Sequence, residues 1–288
     1  MIPTVSTVVC PQWTLAQVAE RLRASAFESV ELRSYGVDSR RSACDPSMTS
    51  AAKVLQLFFD DGIEIEGVAT SLSFSDPISP PVIGRIIGDP DKAVRHGRQM
   101  IDIARGVGAK YLRVFGHELP PRESRGRGVA RVAERLSLVV AAARNSGVQI
   151  VIENGGSFES AEDLLDLVER VREPGLGVCL SLNALSGEAP AVSARDAENA
   201  VRLLGRRIRV ARLADVDDAG RGVIPGEGVA PCAPFVEALG AVGFEGPVVW
   251  EHHPAWSAVD LETNELVQRA GVAMSRLLAG ADAHAGAA

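Results

Sequence analysis

The chain has 288 residues, of which 46% are hydrophobic and 23% charged, and a formal net charge of -7. That apolar share supplies a large core, while the acidic balance and the lack of a basic stripe argue against a nucleic-acid or membrane-surface partner. Cys10, Cys44, Cys179 and Cys232 lack CxxC spacing and read as reduced. The N-terminus M-I-P-T-V-S-T-V-V-C has no basic n-region or cleavage site, and no apolar run nears about 18 residues, so a cytoplasmic protein is expected.

Short β-rich runs alternate with amphipathic helical stretches from end to end. The expected strands cover residues 3–9, 29–33, 63–70, 111–115, 148–153, 177–181, 208–213 and 247–251. Most are continuous apolar runs, as strands buried on both faces should be. Thr14 with Gln17 forms a capping box ahead of L-A-Q-V-A-E-R-L, Asp89-Pro90 marks the start of a later helix, and Ser160 precedes A-E-D-L-L-D-L-V-E-R-V. Gly147, Gly205 and Gly243 follow helical patterns where a left-handed cap is wanted. Eight units sharing 288 residues gives 36 residues each, suited to one strand and its helix. The expected fold class is therefore α/β, a single (β/α)8 TIM barrel over residues 1–280 with a flexible tail at 281–288. No G-x-G-x-x-G follows an early strand, so an open doubly wound sheet lacks its usual signature. Residues 71–88 and 216–231 form long loops over the C-terminal mouth, the first as an expected lid.

Two strands end in a carboxylate, V-Q-I-V-I-E at Glu153 and G-P-V-V-W-E at Glu251. In a closed parallel barrel both point to the C-terminal mouth, where such folds keep their chemistry. A pair of carboxylates across a cavity is the minimum for moving a proton at a carbon beside a carbonyl. Arg33 and Arg113 also lie near strand ends and are candidate substrate contacts or structural ion pairs within the barrel. His117 follows the fourth strand in F-G-H-E-L-P as a hydrogen-bond donor or auxiliary acid. Of His252 and His253, pleat alternation favours His253 on the side of Glu251. Asn154 is placed to donate to a substrate hydroxyl or to shape a turn, and Trp256 to wall the substrate or to pack its loop onto the last helix.

The strand ends and their order resemble the xylose-isomerase-like superfamily of TIM barrels, the sugar phosphate isomerases and epimerases. The matching pieces are S-V-E-L-R, K-Y-L-R-V-F-G, V-I-E-N, L-G-V-C-L-S-L-N-A-L-S-G-E-A-P, R-L-A-D-V with I-P-G-E-G, and G-F-E-G-P-V-V-W-E-H. This resemblance implies a divalent metal held by a glutamate, an aspartate, a histidine and a second glutamate on the last four strands. Glu153 and Glu251 match. Where the aspartate belongs, the chain reads Leu180, Ser181, Leu182, Asn183, Ala184, and where the histidine belongs it has Arg212.

A guanidinium cannot deprotonate and places a fixed positive charge where an ion would sit. The inherited site therefore reads as broken and no cofactor is expected. If Mn or Mg binds at all, Glu153 and Glu251 are its ligands, with co-ligands foreign to the family among Asn183, His117, His252 and Asp215. Arg212 can instead pair with either glutamate or grip an oxyanion of the substrate. The resemblance and the residues together lead us to expect isomerase or epimerase proton transfer on a small polyol, keto-sugar or related anionic metabolite, with Glu153 and Glu251 as acid and base. A lyase or dehydratase on the same scaffold and a non-catalytic binding protein are the alternatives. A small-molecule partner, no nucleic acid and no membrane are expected, and a homodimer is the commonest assembly.

Overall fold

Eight parallel strands close on themselves in the computed structural model, which describes residues 1–36, 41–76, 92–187, 189 and 191–285, with side chains described to 281. The strands are β1 (Ile2–Ser6), β2 (Ser29–Arg33), β3 (Glu64–Ser73), β4 (Tyr111–Phe115), β5 (Gln149–Glu153), β6 (Gly177–Ser181), β7 (Ile208–Leu213) and β8 (Pro247–Trp250). Each pairs with its sequence neighbours, and β1 closes the ring on β8 from Ile2 opposite Pro247 to Val5 opposite Trp250. Outside them run α1 (Leu15–Arg23), α2 (Ala51–Asp60), α3 (Lys92–Gly106), α4 (Arg125–Ala143), α5 (Ala161–Arg170), α6 (Ala194–Leu204), α7 (Cys232–Ala241) and α8 (Thr263–Ala285). The expected α/β class and (β/α)8 TIM barrel are what the chain adopts. Among the described residues no helix is long and apolar enough to cross a membrane.

Local chemistry accounts for the element boundaries. Thr14 and Gln17 exchange the reciprocal bonds of a capping box at α1, and Ser160 accepts from the Asp163 amide at α5. The first strand stops at Ser6, earlier than the apolar run to Val9, and residues 7–9 coil into a 3-10 turn. There the Thr7 hydroxyl accepts the amide of Arg33 at 2.8 Å, which ties the turn to the end of β2. Glu251 lies just past the last strand, although its amide still donates to the Leu213 carbonyl at 3.0 Å. Asp89-Pro90, and residues 77–88 of the expected lid, lie outside the described residues. The last helix enters the segment expected as a tail, and residues 286–288 lie beyond the described ones.

Two apolar clusters hold the barrel. The larger fills the layer between strands and helices. The smaller, Tyr111, Val151, Cys179, Val210 and Val249, comes from alternate positions of β4 to β8 and plugs the interior. It is the floor of the mouth. Gly67 on β3 lets the Tyr111 ring into this layer, since a Cβ there would lie 2.2 Å from two ring carbons.

Candidate active site

Two residues further along several strands, in the same pleat register as the apolar floor, the side chains are polar and all but one ionic: Arg113 on β4, Glu153 on β5, the neutral Ser181 on β6, Arg212 on β7 and Glu251 after β8. At the centre stands Arg212, only 2% exposed. Its Nη1 donates to Glu251, its Nη2 donates to Glu31 Oε1 at 2.5 Å, and its Nε is 3.3 Å from Glu153 Oε2. One guanidinium therefore holds three carboxylates from opposite sides of the barrel. Glu31, on β2, is fully buried and also accepts the Tyr111 hydroxyl at 2.8 Å. Arg113 pairs with Glu153 at 3.0 Å and donates to the Thr70 carbonyl at 2.8 Å.

These contacts divide the two strand-end glutamates electrostatically. Burial pushes the Glu153 carboxyl above the ordinary range; Arg212 and Arg113 oppose that, while Glu251 and Glu31 reinforce it. Burial acts in the same direction on Glu251, but Arg212, Arg113 and Arg33 outweigh it and hold its carboxyl below the usual value. Glu251 keeps a third of its side chain exposed, against 9% for Glu153. Arg212, although buried, is held even more firmly protonated than a free arginine by Glu31, Glu251 and Glu153.

A cavity of about 390 Å³ opens onto this layer, lined among others by Glu153, Ser181, Arg212, Glu251, His252 and Trp256. Its cover is the segment after β7, where 215–216 and 222–223 form a short antiparallel ribbon. Asp215 organises that cover from beneath. Its carboxylate accepts the amides of Val216, Gly226, Gly228 and Ala230 at 2.8–3.1 Å. The close wrap demands Gly228, where a Cβ would stand 2.3 Å from Asp215 Oδ1. The P-G-E-G turn is thus a backbone cradle for an internal carboxylate.

Several expected contacts take other positions. Asn154 donates to the Ser181 and Glu159 carbonyls and accepts the Ser181 amide, so it stitches β5 to β6 and its amide is already partnered against a substrate hydroxyl. His117 is exposed, has φ 62° and packs against Phe115, outside the lining of the cavity. The choice of His253 over His252 also needs correction. The pleat ends at Trp250, and both histidines then line the cavity. His252 is the buried one, its Nε2 without a hydrogen-bond partner among the described residues, and burial followed by His253 lowers its pKa. His253 is exposed, caps a turn through Nδ1 and stacks on Trp256 at 4.5 Å. Trp256 forms an open wall, 68% exposed. Arg33 and Arg113 do not line this cavity, although Arg113 reaches it through Glu153.

Glu31 is the functional candidate that sequence reasoning missed. Its signal was a lone acid inside the buried run S-V-E-L-R, in the register of Arg33.

A metal ion does not suit this donor set. Among the described residues no three histidine, cysteine, aspartate or glutamate side chains are arranged to hold one. The carboxylates that converge are bonded to a guanidinium that stands between them. Asp215, one of the proposed co-ligands, is committed to the loop amides, and Asn183 Oδ1 accepts the Ala214 amide.

A closed parallel barrel with ionisable groups gathered at its C-terminal mouth defines a TIM barrel of the kind that carries small-molecule chemistry there. More narrowly, the chain belongs to the xylose isomerase-like TIM barrel family, whose model matches residues 19–276. No curated protein shows significant similarity to the sequence. Among solved structures, an L-ribulose 3-epimerase superposes with TM-score 0.79 at 16% identity, covering 99% of this chain and 97% of the other. A D-psicose 3-epimerase in the presence of D-fructose gives 0.75 at 15% identity, covering 97% and 100%. The IOLI protein with a binding zinc atom gives 0.75 at 17%, covering 97% and 99%.

Proposed function

We propose that the protein is an isomerase or epimerase that moves a proton on a small polyol, keto-sugar or related anionic metabolite, with Arg212 as its internal cation. The observation that carries this reading is the opposed displacement of Glu153 and Glu251, which share one guanidinium and line one cavity. Carboxyls pushed apart in this way divide into acid and base. Glu251, ionised and partly open to the cavity, is the base; Glu153, buried and raised, is the group readier to hold the proton. Arg212, which lines the cavity, offers charge beside an enediolate oxygen, where negative charge develops, and Arg113 acts through Glu153. Family membership and the epimerases among similar folds agree with this class.

The test is solvent deuterium. The protein is incubated in D2O with pentuloses and hexuloses, including those carrying a carboxylate or phosphate, and the carbon-bound label is read by NMR. We expect label beside the carbonyl, reduced about 100- to 10,000-fold in Glu153→Gln and Glu251→Gln. Label entering at the same rate in both variants would refute the assignment. A binding protein is the second reading, because every glutamate at the mouth already has an arginine partner. It predicts ligand binding with no exchange, and label entering together with loss of water would indicate a dehydratase.

A further inference from the structure

The mouth sets three arginines against three glutamates, but they are not evenly matched. Arg212 is bonded to Glu31 and Glu251, and Arg113 is paired with Glu153. Arg33 remains. Among the described residues it has no carboxylate within ion-pair distance, and its Nη1 is buried without a hydrogen-bond partner. The rest of its head is fixed: Nη2 donates to Ser71 Oγ at 2.6 Å and the guanidinium lies 4.8 Å over the Tyr35 ring, on which it stacks. Arg33 ends β2, two residues past Glu31 and on the same side of the pleat. As the last residue of β2 it stands at the rim of the mouth, outside the lining of the 390 Å³ cavity. Burial and then Arg113 lower its pKa to about 10, partly offset by Tyr35 and Glu251, which leaves it charged at neutral pH with no directly paired carboxylate among the described residues.

We propose that Arg33 is the anchor for an anionic group on the substrate, a carboxylate or phosphate set away from the reacting carbon, and that it selects acidic sugars over neutral ones. This inference rests on the proton-transfer reading for the identity of the substrate but not for the binding itself. The unpartnered Nη1 supplies one charge-assisted hydrogen bond. The Ser71 contact and Tyr35 stacking hold the fork in place before the ligand arrives, which reduces the ordering cost of binding. An anion there would sit beside Arg113 as well, so the two guanidiniums that now repel each other would share a counter-charge.

Binding of polyols that cannot react separates anchoring from catalysis. Calorimetry on the full chain uses glucitol, gluconate and glucitol 6-phosphate. We expect one of the two anions to bind about 10- to 100-fold more tightly than glucitol. The preferred anion tells carboxylate from phosphate. Arg33→Met should abolish that preference with glucitol affinity changed less than about twofold, and Arg33→Lys should retain part of it. Ser71→Ala, which frees the fork without removing charge, should give an intermediate loss and serves as the second variant if Arg33→Met does not fold. Equal binding of all three polyols, or an anion preference that survives in Arg33→Met, would overturn the proposal. Deuterium exchange on neutral ketoses with no role for Arg33 would then leave the proton-transfer reading standing. Arg33-dependent anion binding with no exchange on any substrate would remove that reading and leave the anchor.

Discussion

Removing the central guanidinium should show how the mouth is balanced. Arg212→Met keeps the volume of the stem and leaves Glu31 and Glu251 without an ion-pair partner, whereas Glu153 retains Arg113. The two losses are unequal. Glu31 is fully buried with only the Tyr111 hydroxyl left to it, while Glu251 is a third exposed and screened by solvent. Stranding a buried partner costs about 3–5 kcal/mol, and Glu31 should account for most of that. With an unfolding entropy of about 2.1 cal/mol/K per residue, the drop in Tm is roughly 5–8 °C. The sign of its pH dependence follows from which state binds the proton. In the wild type the Glu251 carboxyl is depressed, so its contribution is present above the unfolded value and is lost as pH falls. In the variant burial of Glu251 is opposed only by Arg113 and Arg33, so the stabilisation it contributes above its unfolded value shrinks. The gap between the two proteins should therefore be smallest near pH 4–5 and fully open by pH 7–8, as read by thermal unfolding followed by circular dichroism. Adding Glu31→Gln to Arg212→Met should recover part of the loss. A variant within about 1 kcal/mol of wild type at pH 8, or a gap that does not change with pH, would refute the account of Arg212 as the counter-ion of buried carboxylates.

Three further outcomes follow from the same geometry. Asp215→Ala leaves four loop amides without their acceptor and should lower stability by at least about 3 kcal/mol, with faster proteolysis within 217–231; Asp215→Asn, which keeps one carbonyl acceptor, should lose less. Gly67→Ala drives a methyl into the Tyr111 ring and should cost about 1–3 kcal/mol, measured by urea unfolding, with Tyr111→Leu in the same chain reducing the penalty. His252 has a folded pKa below its ordinary value, so it favours the folded state above about pH 6.5 and progressively less as pH falls below that. Replacing it with Phe should flatten that part of the Tm curve between about pH 7 and 5, an effect read as the difference from wild type so that the opposite slope from Glu153 cancels.

The fold was legible because periodicity and turn chemistry are local. Eight apolar runs punctuated by caps such as Thr14–Gln17 and Ser160 allow few arrangements besides a closed barrel. Glu153 and Glu251 were legible for a related reason: each stands where a buried run ends, and the barrel makes all such ends meet. Arg212 was legible as a departure able to pair with either glutamate, but its third partner Glu31, 181 residues away on another part of the ring, was not. Asp215 and Asn154 carried the chemistry of ligands, and only the positions of nearby amides reveal that the backbone uses them. The histidine pair failed for a narrower reason. Alternation predicts facing only while the chain remains a strand, and β8 ends one residue before Glu251.

A guanidinium among three carboxylates also constrains what the mouth can do. An arginine donates hydrogen bonds and charge but accepts no lone pair, so it can orient Glu251 and offset developing oxyanion charge without itself taking up a proton. On the proposed proton-transfer reading, protons then move through carboxylates. Because Arg212 grips Glu31 and Glu251 at once, a substrate oxygen that drew the guanidinium away from Glu251 would raise the basicity of that carboxylate as it arrived, leaving Glu31 to keep the arginine in place. On that reading Glu31 would be a positioning residue. Glu31→Gln should lower turnover while shifting the pH profile of the Glu251-dependent step, whereas a purely structural role would lower the amount of folded protein and leave that profile unmoved.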